Sequence, residues 1–362
     1  MKIAILGATN IKHMSLISHY LDHIDLKNNQ VDILYTDKYG IDEKFEGLTN
    51  YYKYTVNIDS NWSLARKALK YYSFKSYAID IIKHNNYDFL IVWGSYTGHL
   101  FKKFLTKYYK GRYILNIRDY FYEKNRVVFA RMTQLVNFSY MSTISSDGFL
   151  KFLPKSKKYQ VVYSYNSKII NQAKSEKNIV LQKPLKISFI GNVRFLDINK
   201  KILKELKNDS RFLIQYFGTG AENLEEFAKE FKIENVKFYG GFDIKETSKF
   251  LNQTDIINNL YGNKNIALDT ALSIRMYYSL FLNKPIITSK DTYTASQAEE
   301  FGLGIQVDSD DLSGLGNKII DYYHCVDNAQ INKKRRKYIK YVLKQNENFY
   351  QKLDEVLKIK SV

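Results

Sequence analysis

Three stretches of this chain hold residue types that could neutralise a phosphate. Ser188-Phe189-Ile190-Gly191-Asn192-Val193-Arg194 reads as a strand running into a polar loop, and Lys200 and Lys201 follow near a helix start. Two cations, Arg194 and Lys200, beside backbone N–H groups that lack intrahelical partners suit a diphosphate. Arg275 is a third cation, in the helical run Ala271 to Leu280 that leads into Lys284-Pro285-Ile286-Ile287. Ordinary surface bases, or a salt bridge at Arg275, would account for the same residues. The first loop, Gly7-Ala8-Thr9-Asn10-Ile11-Lys12-His13, has one glycine where a dinucleotide fingerprint has three. That argues against a tight pyrophosphate turn and leaves a looser loop, with Asn10 and His13 available for hydroxyl groups.

Other chemistries find less support. Glycoside hydrolysis needs a carboxylate pair, and nothing in the sequence marks one. His19 and His23 are four apart, as metal ligands on a helix could be, yet they fall away from the apolar face and read as a solvated pair. Asp308-Ser309-Asp310 matches a metal-binding Asp-x-Asp pattern; we read it as a strand end and helix cap before Leu312–Ile320, so no metal is expected. Cys325 is the single cysteine, which excludes an intrachain disulfide and any Cys-based zinc or iron–sulfur site. His99, after Gly94-Ser95-Tyr96-Thr97-Gly98, reads as facing a cleft, and Arg118-Asp119, at a strand end, reads equally as a substrate-binding pair or as an internal ion pair. His13, His99 and Asp119 are the candidates for a catalytic base, and the sequence does not choose among them.

The elements that must position these residues are short apolar β-runs alternating with longer helical stretches. Lys2–Leu6, Val31–Tyr35, Tyr52–Val56, Phe89–Trp93, Tyr113–Ile117 and Val161–Tyr163 form the first set. A helix with Met14, Ile17, Leu21 and Ile24 on one face, and a long one near 61–84, lie between them. Polar, lysine-rich Asn166–Pro184 reads as a linker. The pattern restarts with Lys186–Ile190, Phe212–Phe217, Val236–Phe238, Asp255–Leu260, Pro285–Thr288 and Gly304–Val307. Such alternation implies a parallel sheet covered on both faces. The expected fold is α/β: two tandem doubly wound, Rossmann-like domains facing a cleft, with a C-terminal helix packing back. Boundaries fall at 1–165, 166–184 (linker), 185–328 and 329–362. In open parallel sheets, ligands sit beyond the carboxyl ends of the strands.

Composition sets the partners. The chain has 362 residues, 45% hydrophobic, so it can bury two cores. Against 37 Asp+Glu stand 55 Lys+Arg, a net charge of +18, with 31 Tyr and 22 Phe. Bases mix with aromatics in Trp62–Tyr77 and Phe101–Arg112, and Lys333–Lys337 is a further cluster. These suit an anionic membrane surface. A solvated helix face with its rings in the core fits equally. No zinc finger or RNA-recognition signature is visible, so nucleic acid is not an expected partner. The first apolar stretch is too short for a signal peptide, and no run approaches the about 18–20 apolar residues of a membrane span. A cytoplasmic chain, held peripherally at the inner face of the membrane, is expected.

From Ile187 to Ile287 the sequence resembles the nucleotide-sugar domain of GT-B-fold glycosyltransferases of the family 4 kind, in particular enzymes that build capsular or other surface polysaccharides. The likeness rests on Phe189–Arg194, on Gln215-Tyr216-Phe217-Gly218-Thr219-Gly220, on Asn235–Gly240, and on Arg275-Met276-Tyr277 with Lys284–Ile287. It implies a donor site of Gly191, Asn192, Arg194, Lys200, Gly218 and Arg275, with Tyr239 and Gly241 in a loop bordering the base. Tyr278 stands where the resemblance leads one to expect a ribose-binding acid, and the glutamate expected to face the donor sugar is missing from the loop before Arg275, where Asp269 is the nearest acid. The function so implied is that of a retaining, metal-independent hexosyltransferase. It would move sugar from a nucleotide-diphosphate sugar to a lipid-linked saccharide, with no further cofactor. The alternative is a non-catalytic subunit of the same fold that binds an active partner glycosyltransferase, which Tyr278 favours. A sugar-nucleotide epimerase on the same architecture would need a clearer set of acids and histidines.

Overall fold

A computed structural model describes residues 1–14, 17–56 and 63–358. The chain divides into two compact units, Met1–Tyr163 with Lys344–Val362, and Ser164–Leu343. In the first unit, strands β1 (Lys2–Gly7), β2 (Gln30–Asp37), β3 (Tyr51–Thr55), β4 (Phe89–Trp93), β5 (Tyr113–Ile117), β6 (Met141–Ile144) and β7 (Tyr159–Val161) form one sheet. Their order is β3-β2-β1-β4-β5-β6-β7, and every pairing is parallel. The register sets Ile5 beside Ile33 and Ile91. Continuous Val/Ile/Leu strands follow from burial on both faces.

The second unit repeats the plan. Strands β8 (Leu185–Ile190), β9 (Phe212–Phe217), β10 (Val236–Phe238), β11 (Ile256–Asn259), β12 (Ile286–Ser289) and β13 (Gly304–Val307) order as β10-β9-β8-β11-β12-β13, again all parallel. In each sheet the order reverses beside the first strand, so Gly7 ends β1 and Gly191 follows β8 at the switch point where open α/β sheets hold ligands.

Local differences from the expected elements have physical causes. Strand β6 escapes the periodicity because Met-Ser-Thr-Ile mixes polar with apolar residues, although all four are buried. Strand β7 lies two residues earlier than Val161–Tyr163. Met14, Ile17, Leu21 and Ile24 are buried together, but the helix they suggest is a 3₁₀ turn at Ile11–His13 and one turn at Ser18–Leu21. Segment 166–184 is tied down: Ser167–Gln172 is helical, Glu176 N–H donates to the Leu282 carbonyl, and Asn283 Nδ2 donates to the carbonyl of Glu176.

The C-terminal helix, Asn328–Lys358, buries Phe349, Leu353 and Val356 in the core of the first unit. His19 is not solvated. It is buried, with Nδ1 2.7 Å from the Tyr350 hydroxyl, and His23 stacks on the same ring at 3.5 Å. A contact over more than three hundred residues leaves no local signature.

In the basic-aromatic stretches Phe74, Phe101, Phe104 and Tyr109 join the core, whereas Tyr72 and Tyr108 are exposed beneath Lys75 and Lys107. Trp62 lies outside the described residues. No described helix is long and apolar enough to cross a membrane.

Candidate functional site

The strand-end loops of the second unit are knitted together by backbone bonds that continue the sheet beyond its strands. Gly191 N–H donates to Phe217 O, Val193 N–H to Thr219 O, Gly218 N–H to Gly240 O and Tyr239 N–H to Tyr216 O, all within 2.7–3.0 Å. Glycine is required at Gly218. With φ at +138°, a Cβ there would lie 2.0 Å from the Gly191 carbonyl oxygen. Gly191 itself has φ +112°. The sheet edge therefore offers backbone in close approach rather than side chains.

Arg275 lies under this edge. Ser273 caps its helix, Ile274–Leu282, by accepting from the Arg275 N–H, and the Ser273 hydroxyl donates to Asn259 Oδ1 at 2.7 Å. So fixed, the Arg275 guanidinium lies 4.2 Å over the Phe189 ring and 5.4 Å from that of Tyr261, and donates to the carbonyl of Ile190. Only 7% of the residue is exposed, Nε has no hydrogen-bond partner, and no described carboxylate forms an ion pair with it. Burial above all, with the charge of Arg194 and against an opposing influence of Tyr278, pushes its pKa down to about 10. At neutral pH it stays cationic. A buried cation that pairs with no described carboxylate, and that feels the charge of a second cation, is an arrangement that an anion would complete. Tyr278, one turn on, is buried as a neutral phenol, its pKa raised to about 12 by burial.

Other expected residues take several positions. Arg194 and Asn192 are exposed on the loop after β8. Lys200 lies 5.4 Å over the ring of Phe227, which Lys204 shares, on the side of helix Leu196–Glu205 that meets helix Glu222–Glu230. Its side chain is thus engaged with a ring rather than with the groups around Arg275. Tyr239 is half exposed and stacks on Phe217 at 4.3 Å, while Gln215 Nε2 donates to its hydroxyl. With exposed Gly240 and Gly241 beside it, this makes a flat aromatic ledge.

Asn199 is a residue that the sequence reading missed. It is fully buried, its Nδ2 donates to the carbonyls of Arg194 and Phe195, and its Oδ1 accepts from Tyr216 and Asn258. One amide thereby ties the loop after β8 to β9 and β11. Phe195, in the left-handed region at φ 57°, closes the same loop. Asp269 has a buried Oδ1 with no hydrogen-bond partner.

Asp308 pairs with Lys290 and Asp310 with Lys264, each at 2.6 Å. They follow β13 directly, as expected of a strand end, but the next helix begins at Leu315 behind Gly314, so they do not cap it.

The first unit holds the remaining candidates. His13 is exposed, with Nε2 3.1 Å from the Tyr39 hydroxyl. His99 is buried against Phe121, Nε2 has no partner, and burial with the nearby Arg131 charge lowers its pKa to about 4. Asp119 is exposed, and Ser95, about one turn before His99 on the same helix, donates to the Asp119 backbone carbonyl. Asn10 is not available for ligand hydroxyls: its Nδ2 donates to Asp37 and Glu43, and its Oδ1 accepts from Lys38 N–H. Glu43 also accepts from the Ile11 and Lys12 N–H groups.

With this geometry in view, the chain is similar in structure to several solved proteins along nearly its whole length. Sucrose-phosphate synthase from Thermosynechococcus elongatus matches with a TM-score of 0.70 at 11% identity, covering 99% of each chain. Anabaena HepE in complex with UDP gives 0.67 at 13%, covering 98% of this chain and 100% of that one. A glycosyltransferase from Rickettsia africae gives 0.64 at 11%, covering 99% of each. No protein-family model and no curated protein matches the sequence. The fold is that of GT-B glycosyltransferases: two Rossmann-like parallel-sheet units in tandem, with seven and six strands.

Proposed function

We propose that this chain is a glycosyltransferase that takes a sugar from a nucleotide-diphosphate sugar. The observation that carries the reading is the buried Arg275, which pairs with no described carboxylate and whose Nε has no described partner, under the Gly191–Gly218 edge of the second sheet. Arg275 and Arg194 hold the diphosphate. The Tyr239–Phe217 ledge supports the base, and the unpartnered Asp269 oxygen accepts from a sugar hydroxyl. That HepE is solved with UDP and with UDP-glucose supports the choice of ligand.

In the reaction, the bond between the anomeric carbon and the diphosphate oxygen breaks, and its electron pair leaves with the diphosphate. Arg275 and Arg194 stabilise the charge that builds there, so the chemistry needs no metal. The acceptor hydroxyl oxygen bonds to the anomeric carbon and gives its proton to a base. His13, His99 and Asp119 are the candidates, of which His99 offers a neutral imidazole with a free Nε2. The acceptor is a lipid-linked saccharide used in surface polysaccharide synthesis at the inner face of the membrane, and the anomeric configuration is retained. These finer assignments come from the resemblance of the 187–287 segment.

Calorimetry with UDP, GDP and their sugars tests the reading. Micromolar binding of one nucleotide, weakened in Arg275→Met, is the expected result; no binding to any of them refutes it. Tyr278 favours one alternative, a non-catalytic subunit, because a buried phenol supplies no carboxylate to a ribose. Co-purification with a second glycosyltransferase, without donor binding by this chain alone, would select it.

A further inference from the structure

The C-terminal helix carries its buried residues on one side. With 3.6 residues per turn, Ile331, Val342, Asn346, Phe349 and Leu353 fall within an arc of roughly 60°. Diametrically opposite, Lys333, Arg336, Lys337, Lys340 and Lys344 occupy an arc of roughly 100°, and all five are exposed. Tyr341 and Leu343, both exposed, flank this stripe on either side. The stripe is about 16 Å long. An open groove of about 610 Å³ runs beside it, lined by Ala329, Asn332, Lys333, Arg336, Lys337 and Lys340.

The stripe works against the helix that carries it. Lys333–Lys337, Arg336–Lys340 and Lys340–Lys344 are like charges four residues apart, an arrangement that destabilises a helix. No Asp or Glu occurs from Asn328 to Asn346, and the ion pairs seen among the described residues lie elsewhere. Arg335, by contrast, turns inward and donates to the carbonyls of Leu280 and Phe281. The fold thus uses one base of the cluster and leaves the others in water.

We infer that this face docks the protein on an anionic phospholipid bilayer. Negative headgroups relieve the repulsion along the stripe, and the flanking Tyr341 and Leu343 supply an interfacial ring and an apolar side chain. Those two residues favour a bilayer over a nucleic acid. The inference rests on the proposed lipid-linked acceptor and adds the surface that brings the enzyme to it.

The full chain is to be sedimented with phosphatidylcholine vesicles, with and without phosphatidylglycerol, at low and high salt. A Lys333→Ser/Lys337→Ser/Lys340→Ser variant is compared with a control of equal charge loss, Lys207→Ser/Lys229→Ser/Lys237→Ser. Binding only to the anionic vesicles is expected, weakened roughly a hundredfold in the helix variant at about 1 kcal/mol per base, and little changed in the control. The helix variant should melt at or above the wild-type temperature, because repulsion is removed. Equal losses in the two variants, unchanged binding in the helix variant, or binding to duplex RNA without binding to vesicles would each overturn the inference. UDP binding is measured in parallel. UDP binding without vesicle binding refutes the docking surface alone, and the reverse refutes the donor site alone.

Discussion

The guanidinium of Arg275 lies 4.2 Å over the ring of Phe189, facing the end of the strand to which that ring belongs. The pair is held without a carboxylate, so the fold gains little from the charge itself. Replacing a buried charge by an apolar side chain of similar length is often neutral or stabilising. Arg275→Met is therefore expected to keep or raise the urea midpoint while losing ligand. A variant that unfolds would show that the arginine serves the core instead.

Gly218→Ala tests the close approach at the sheet edge. Its Cβ would lie 2.0 Å from the Gly191 oxygen at a φ of +138°. A loss of roughly 2–3 kcal/mol or more is expected. Gly240→Ala, at φ +70° with nothing within 4 Å, should cost only about 1 kcal/mol. Chemical denaturation of both gives the comparison, and equal losses would contradict the steric account.

Asn346 holds both backbone groups of Tyr163. Its Oδ1 accepts from the Tyr163 N–H at 2.7 Å, and its Nδ2 donates to the Tyr163 carbonyl at 3.0 Å, within the core of the first unit. Asn346→Ala removes both of these buried hydrogen bonds and should cost roughly 2–4 kcal/mol. Asn346→Asp removes the donor alone and, if charged, buries that charge. It should be no milder than Asn346→Ala, as measured by urea midpoint.

Acid should loosen the first unit. Burial lowers His19 to about 3 and His99 to about 4, against an ordinary histidine value of 6.5. Because the folded values are depressed, the unfolded chain binds more protons between 6.5 and these values. The contribution is fully present above 6.5 and is lost as pH falls toward 4 and 3. For His19 the loss is about 2 kcal/mol at about pH 5. His19→Phe should flatten this part of the stability profile, and an unchanged slope would contradict the assignment.

Much of the fold is legible in the residues, because strands buried on both faces read as apolar runs and their glycine ends mark the turns. Phe212–Phe217, Val236–Phe238 and Gly304–Val307 have the expected bounds. Where the sequence misleads, long-range packing decides. Tyr350 covers His19 from the far end of the chain, and Asn199 earns its place by bonds to residues on three other elements. Type and spacing place Arg275 at the start of its helix. That its charge is buried over Phe189 rather than exposed depends on the Ser273 cap and the β8 ring, which no local pattern states.

The proposed transfer requires the second unit to hold a nucleotide diphosphate against Arg275. Isothermal titration of UDP and GDP into the wild-type chain and into Arg275→Met measures it directly. Saturable binding of one nucleotide is expected, weakened about 10–100-fold in the variant, as befits loss of a charge-assisted contact in a dry site. Equal affinity in the two proteins, or heat from neither, would contradict it.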